Sequence, residues 1–166
     1  MTPFIISQIL VLLAISFDLM SFQFKNRKYI LICFSLASLL ISTHFILLEK
    51  WTAASLMALA VIRFIASYFS TSLKMRNLFI TLTILISIFT FQGYLSIISC
   101  IAAIFGTLGS FHKEDKQLRQ LMMICSLLWI IHNALSLSPA AVIMEFLFIS
   151  SNLFGYYRFY IKPSNN

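Results

Sequence analysis

Apolar residues in this chain come in continuous runs, without the alternation of a barrel strand, and short polar breaks separate the runs. Runs of about 20 residues cover the roughly 30 Å hydrocarbon core of a bilayer as helices. The pattern predicts seven of them: Phe4–Phe22, Tyr29–Leu48, Thr52–Ser70, Leu78–Phe91, Tyr94–Phe111, Leu121–Leu137 and Ala140–Ile161. The ambiguous stretch is Leu78 to Phe111, 34 residues without a charge and with one clear break, Gln92-Gly93. As a single helix it would be roughly 51 Å long, far more than a crossing needs. Two short spans meeting at Gln92-Gly93 fit better, and the charges agree.

With that break, the loops after the first, third and fifth spans and the segment after the seventh hold Lys25, Arg27, Lys28, Lys74, Arg76, Lys113, Lys116, Arg119, Arg158 and Lys162. The other side holds Lys50 alone, and Arg63 falls inside a span. Cytoplasmic loops collect Lys and Arg, so the expected orientation is N-terminus outside and C-terminus cytoplasmic. The first run lacks the basic flank and small-residue cleavage site of a removable signal, so it is expected to be retained as a span.

Composition narrows the class. The 166 residues are 60% hydrophobic and 10% charged, and mean hydropathy is +0.94, which excludes a soluble globular domain and a disordered chain. The net charge of +7 is accounted for by the orienting loops, and no basic patch interleaved with aromatics points to nucleic acid. Cys33, Cys100 and Cys125 lie in apolar runs with no CxxC spacing and read as small buried hydrophobes.

The chain also matches itself at an offset of 88 residues: Ser38-Leu39-Leu40 and His44 meet Ser126-Leu127-Leu128 and His132, Lys28 meets Lys116, and Tyr68 meets Tyr156. An odd number of spans lies between corresponding helices, so both copies enter from the same side, as parallel repeats. The expected fold is therefore all-α and membrane-embedded, one domain over 1–166. A first three-helix repeat (4–70) and a second (94–161) are joined by an inverting linker helix (78–91).

This 3+1+3 order resembles the SWEET sugar transporters and the PnuC vitamin transporters. The runs Phe22-Gln23-Phe24-Lys25-Asn26-Arg27-Lys28, Gly106-Thr107-Leu108-Gly109-Ser110-Phe111 and Ser151-Asn152-Leu153-Phe154-Gly155-Tyr156-Tyr157-Arg158 resemble the YgjV-type bacterial inner-membrane proteins more closely, over nearly the whole chain. That resemblance implies a location in the bacterial inner membrane. SWEETs carry an Asn on the third helix of each repeat facing a central cavity, and likeness to them implies the same role for Asn152. Its counterpart is Phe64, and Arg63 is the adjacent polar residue.

Charges inside a bilayer are costly and mark pairs or water-filled cavities. Asp18 lies 14 residues in from Phe4 and Arg63 11 in from Thr52, roughly 21 and 17 Å deep, so a direct or water-bridged pair is expected. A shallower layer holds His44, His132, Asn133 and Glu145, with Trp129 one helical turn from His132 and Asn133. His44, His132 and Glu145 read as an outer gate or a proton-linked step; coming from three helices without local spacing, they make no metal motif. No cofactor is expected.

The leading expectation is a transporter, facilitated or ion-coupled, of a small polar or anionic solute, moved by alternating access through a site of Arg63, Asn152, Asp18, Trp129 and Asn133. No GxxxxGK[ST] sequence supplies ATP binding. The alternative is a non-transporting membrane scaffold or partner-binding subunit. An enzyme is not expected, since no Ser/His/Asp set, HExxH or paired carboxylates on one helix occur. Lipid is the expected environment, and a homo-oligomer is compatible with the sequence.

Overall fold

A computed structural model describes residues 2–162; Met1 and residues 163–166 of the expected single domain lie outside the described part. Seven α-helices follow one another: α1 (Pro3–Ser21), α2 (Arg27–Leu47), α3 (Trp51–Phe69), α4 (Leu73–Phe89), α5 (Tyr94–Ser110), α6 (Asp115–Leu135) and α7 (Pro139–Tyr156). A π-helical turn, Tyr157–Ile161, continues α7. Among the described residues there is no strand. Five of the helices, all but α4 and α5, are long and apolar enough to cross a membrane; those two have 17 residues each.

Local chemistry sets the helix starts. Thr2 accepts from the Ile5 amide with Pro3 in the first turn of α1, and Asn26 Oδ1 takes the Lys28 amide at 3.0 Å to open α2. Ser72 caps α4 through the Lys74 amide, so that helix begins five residues before the expected Leu78. Its basic first turn is helical although it is not apolar. Likewise α6 begins at Asp115, six residues before Leu121, with a carboxylate favourable at the positive end of the helix. Leu78–Phe91 and Tyr94–Phe111 are separate helices. The turn between them passes through Gly93 at φ +96°, a backbone conformation that glycine adopts without a side-chain clash.

Hydrogen bonds fix which helix ends share an end of the bundle. At one end the Trp51 amide donates to Gln92 Oε1 at 2.9 Å, Thr52 Oγ1 donates to the Thr90 carbonyl, and His44 joins the Ser7 carbonyl to Ser138 Oγ. At the other, Arg27 and Arg119 reach carbonyls in the last turn of α3 and just after α1 and α5. Odd-numbered helices thus start where even-numbered ones finish. Gly93 belongs to the first end, together with the α2–α3 and α6–α7 turns.

Packing closes a ring. α1 packs on α2, α2 on α3, α3 on α5, α5 on α6, α6 on α7, and α7 back on α1; α4 lies outside, against α3 and α5. Small residues let the ring helices approach: Ala14, Ala37, Ala53, Ala102 and Ala141 are buried in one apolar layer with Phe45 and Trp129. A second layer centres on Phe22, Phe34, Phe64 and Phe148. Large apolar residues cover the outer surface, among them Leu12, Ile62, Phe89 and Phe146, as a lipid-facing protein requires.

The two hairpin turns α2–α3 and α6–α7 share one backbone design. Glu49 and Leu137 take φ of 57° and 55°. The Lys50 amide donates to the Phe45 carbonyl and the Glu49 amide to that of Ile46; the Ser138 and Leu137 amides do the same to Asn133 and Ala134. Both are Schellman endings, and every atom pair is displaced by 88 residues.

Candidate functional site

Inside the ring lies a cavity of about 80 Å³. Its wall comes from α1, α2, α3, α6 and α7, and the polar side chains on it are Asp18, Ser38, Arg63, Ser126, Asn133 and Glu145. Aromatic rings of Phe34, Phe45, Phe64, Trp129 and Phe148 make most of the rest. Six pairs of lining residues are separated by the same 88 positions: Phe34 and Met122, Ala37 and Cys125, Ser38 and Ser126, Ile41 and Trp129, Phe45 and Asn133, Met57 and Glu145.

Arg63 projects from α3 towards α5. Its Nη1 donates to the Ala103 carbonyl and to Thr107 Oγ1, both at 3.1 Å, and its guanidinium lies 4.6 Å from the centroid of the Phe64 ring. Gly106 packs closely beside it, since a Cβ there would lie 3.1 Å from Nη2 and push the guanidinium by a few tenths of an ångström. Nε is buried without a hydrogen-bond partner.

Of the two expected forms of the Asp18–Arg63 pair, the direct ion pair does not form. Among the described residues the one salt bridge is Asp115–Arg119. The reason is the ring: Asp18 is on α1 and Arg63 leans on α5, which sit across the cavity from each other. Asp18 is 7% exposed and lines the cavity with no side-chain hydrogen bond or ion pair among the described residues. Glu145 is held differently, its Oε2 accepting from Ser126 Oγ on the facing helix.

The other expected residues divide. Trp129 and Asn133 are on the wall; Trp129 stacks on Phe45 with centroids 5.7 Å apart, and Asn133 Oδ1 meets His132 Nδ1 at 3.3 Å. Asn152, expected to face the cavity, does not line it. Its Nδ2 donates to the Arg119 carbonyl at 2.7 Å, so it ties α7 to α6 as a fully buried link. It shares the helix face of Met144 and Phe148 but lies one turn beyond Phe148, past the end of the cavity.

His44 is also off the wall. Its Nδ1 lies 3.0 Å from the Ser7 carbonyl, which can only accept, so Nδ1 carries the proton and Nε2 takes the Ser138 hydroxyl at 3.3 Å. Both nitrogens are used in joining α1, α2 and the start of α7. His132 lines a separate space of about 170 Å³ between α3, α5 and α6, with Lys50, Thr52, Gln92, Ser96 and Ser99. His44, His132 and Glu145 therefore form no common layer around one space, and no three His, Cys, Asp or Glu side chains converge on a metal position among the described residues.

Sequence reasoning missed Arg27 and Arg119 as structural ties. Arg27 Nε donates to the His112 carbonyl and Nη2 to that of Ser67, both at 2.8 Å, with Ser110 as a further acceptor. Arg119, fully buried, donates to the carbonyls of Phe22 at 3.3 Å and Phe24 at 2.7 Å. Each caps carbonyls at the end of a helix in the other half of the ring: α2 reaches the end of α5, and α6 the end of α1. Their positions differ from the 88-residue offset by one helical turn, so alignment of the halves does not pair them.

A family model described as bacterial inner membrane protein, Imp-YgjV, matches residues 5–162. No curated protein and no solved structure matches the chain.

Proposed function

The chain belongs to the Imp-YgjV family of bacterial inner membrane proteins, and from that premise we propose that it is a carrier of a small polar solute. In this reading it has seven crossings, with the start of α1 outside and the end of α7 in the cytoplasm. α1–α3 and α5–α7 are two parallel repeats, and α4 is the crossing that restores their polarity. The halves rock against each other about the central cavity.

One observation carries the reading. The cavity is lined by six residue pairs related by the 88-residue offset, the arrangement expected if the two-fold axis of the proposed repeats runs through it. Parallel-repeat carriers bind their solutes on such an axis. Support also comes from the interhelix contacts, which fall into matched sets: α1–α2 with α5–α6, α2–α3 with α6–α7, and α1–α7 with α5–α3. A buried Arg63 with an unpartnered Nε gives the solute a polar anchor.

About 80 Å³ is well below the roughly 300 Å³ of ordinary ligand pockets, so the state described is contracted and a larger solute requires the halves to part. The same contraction favours the second reading, a scaffold with no cargo. A thermal-stability screen of the purified protein against sugars, vitamins, amino acids and organic acids separates the two. A carried solute raises the melting temperature of the wild type and of Asn152→Ala, whose side chain is off the wall, and not of Arg63→Ala. It also exchanges across proteoliposomes. Absence of both effects across the whole panel favours the scaffold.

A further inference from the structure

The cavity wall is electrically divided. Asp18 projects from α1, while Arg63 stands on α3 with its guanidinium bonded to α5. In the ring order, α1 and α5 lie opposite each other. Both groups are more than nine-tenths buried, both line one cavity, and they are not paired with each other. Asp18 has no hydrogen-bond donor among the described residues, and Arg63 Nε has no acceptor. An acid and a base, each incompletely satisfied and held apart in a low-dielectric space, are complemented by an occupant that brings an opposite group to each. Neither repeats across the axis: Gly106 stands where Asp18 would recur and Ser151 where Arg63 would, so the polarity is a property of this one site.

Resting on the carrier reading, we propose that the cavity binds a small zwitterion, with its ammonium at the Asp18 carboxylate and its acid group at the Arg63 guanidinium. The rings support the cationic end. Phe34 and Phe148, 5.6 Å apart between centroids, line the cavity with no cation over either ring among the described residues, whereas the Phe64 ring is already covered by the Arg63 guanidinium. Such faces attract an ammonium group and offer nothing to a carboxylate. Glu145 lines the same cavity as a further acceptor, already engaged by Ser126. An anion alone would meet Arg63 but would also meet the unpaired Asp18, and a neutral polyol would leave both charges unpaired. A volume of about 80 Å³ restricts an occupant of this contracted state to a few heavy atoms.

Four compounds of nearly equal size separate the possibilities: glycine carries both charges, ethanolamine the amine, glycolate the acid, and ethylene glycol neither. The melting temperature of the purified protein is measured against rising concentrations of each, and counterflow of each is measured in proteoliposomes. Glycine is expected to raise the melting temperature most, ethanolamine less, and ethylene glycol not at all. Asp18→Asn is expected to weaken glycine binding by at least about tenfold, the loss of one charge-assisted bond, and to abolish the ethanolamine effect. Arg63→Gln should bring glycine down to the level of ethanolamine. The wild-type comparison decides the matter even if a variant does not fold. A glycolate effect equal to that of glycine, or a glycine effect that survives in a folded Asp18→Asn, overturns the zwitterion. If glycolate is carried instead, transport stands and this assignment falls. If none of the four binds, the assignment falls and the wider solute screen alone decides whether the protein is a carrier.

Discussion

Glu49 and Leu137 occupy the left-handed backbone region that glycine or asparagine usually fills at a helix end. A side chain there costs about 1–2 kcal/mol, so Glu49→Gly is expected to stabilise the protein by roughly 0.5–1 kcal/mol after the added freedom of the unfolded chain is counted. A higher melting temperature, with ligand binding unchanged, is the expected readout. The opposite sign holds at Gly155. A Cβ there would lie 2.5 Å from Arg119 Nη1 and 2.7 Å from the Phe22 carbonyl, and the carbonyl is backbone. Gly155→Ala is therefore expected to cost about 1–3 kcal/mol and lower the melting temperature. Neither feature was legible in sequence, because Glu and Leu give no signal of a left-handed turn. Arg119 looked like any loop cation for a related reason. A basic residue at a span boundary reads the same whether it faces water or, as here, two buried carbonyls. Asp18, Arg63, Trp129, Asn133 and Glu145 were legible, since polar groups in apolar runs stand out. That Phe34, Phe64 and Phe148 make the rest of the wall was not, because aromatics occur on every face of these helices.

Helix existence was readable from apolar runs and helix starts were not. α4 and α6 begin with polar turns, Leu73 to Asn77 and Asp115 to Gln120, that a hydropathy reading assigns to loops. Capping by Ser72 and a favourable Asp115 extend those helices past their apolar part. α4 buries only Phe79, Thr83 and Ser87, and both hydroxyls bond back to their own helix at 2.8 Å, so α4 contributes little to the core. The ties between the halves lie instead in the two arginines. Arg119→Met removes donors from two carbonyls and from Asp115, and is expected to cost about 3 kcal/mol, read as a lower melting temperature. Arg27→Met is expected to cost less, since Arg27 is half-buried and water can replace part of what it gives up. At the turn that separates α4 from α5, Gly93→Ala forces a side chain into φ +96° and is expected to cost about 1–2 kcal/mol in thermal unfolding, with nothing within 4 Å to clash.

For the molecule as a whole, the closed six-helix ring and its matched turns agree with the proposed 88-residue repeat. Sequence similarity alone was weak, because leucine matches are common in apolar runs. The residues lining one space make the stronger statement, since six pairs at the same offset converge there. Asp18 and Arg63 have no counterparts at that offset, and the proposed site takes its polarity from them. All of it depends on α4 crossing the membrane, so that α1–α3 and α5–α7 face the same way. Side-specific labelling tests this directly. With Cys33, Cys100 and Cys125 replaced, single cysteines are placed at Thr71, before α4, and at Gln92, after it, and intact cells are treated with a membrane-impermeant maleimide. The account predicts labelling at position 92 in intact cells and at position 71 only after the membrane is opened; labelling of both from the same side would contradict it.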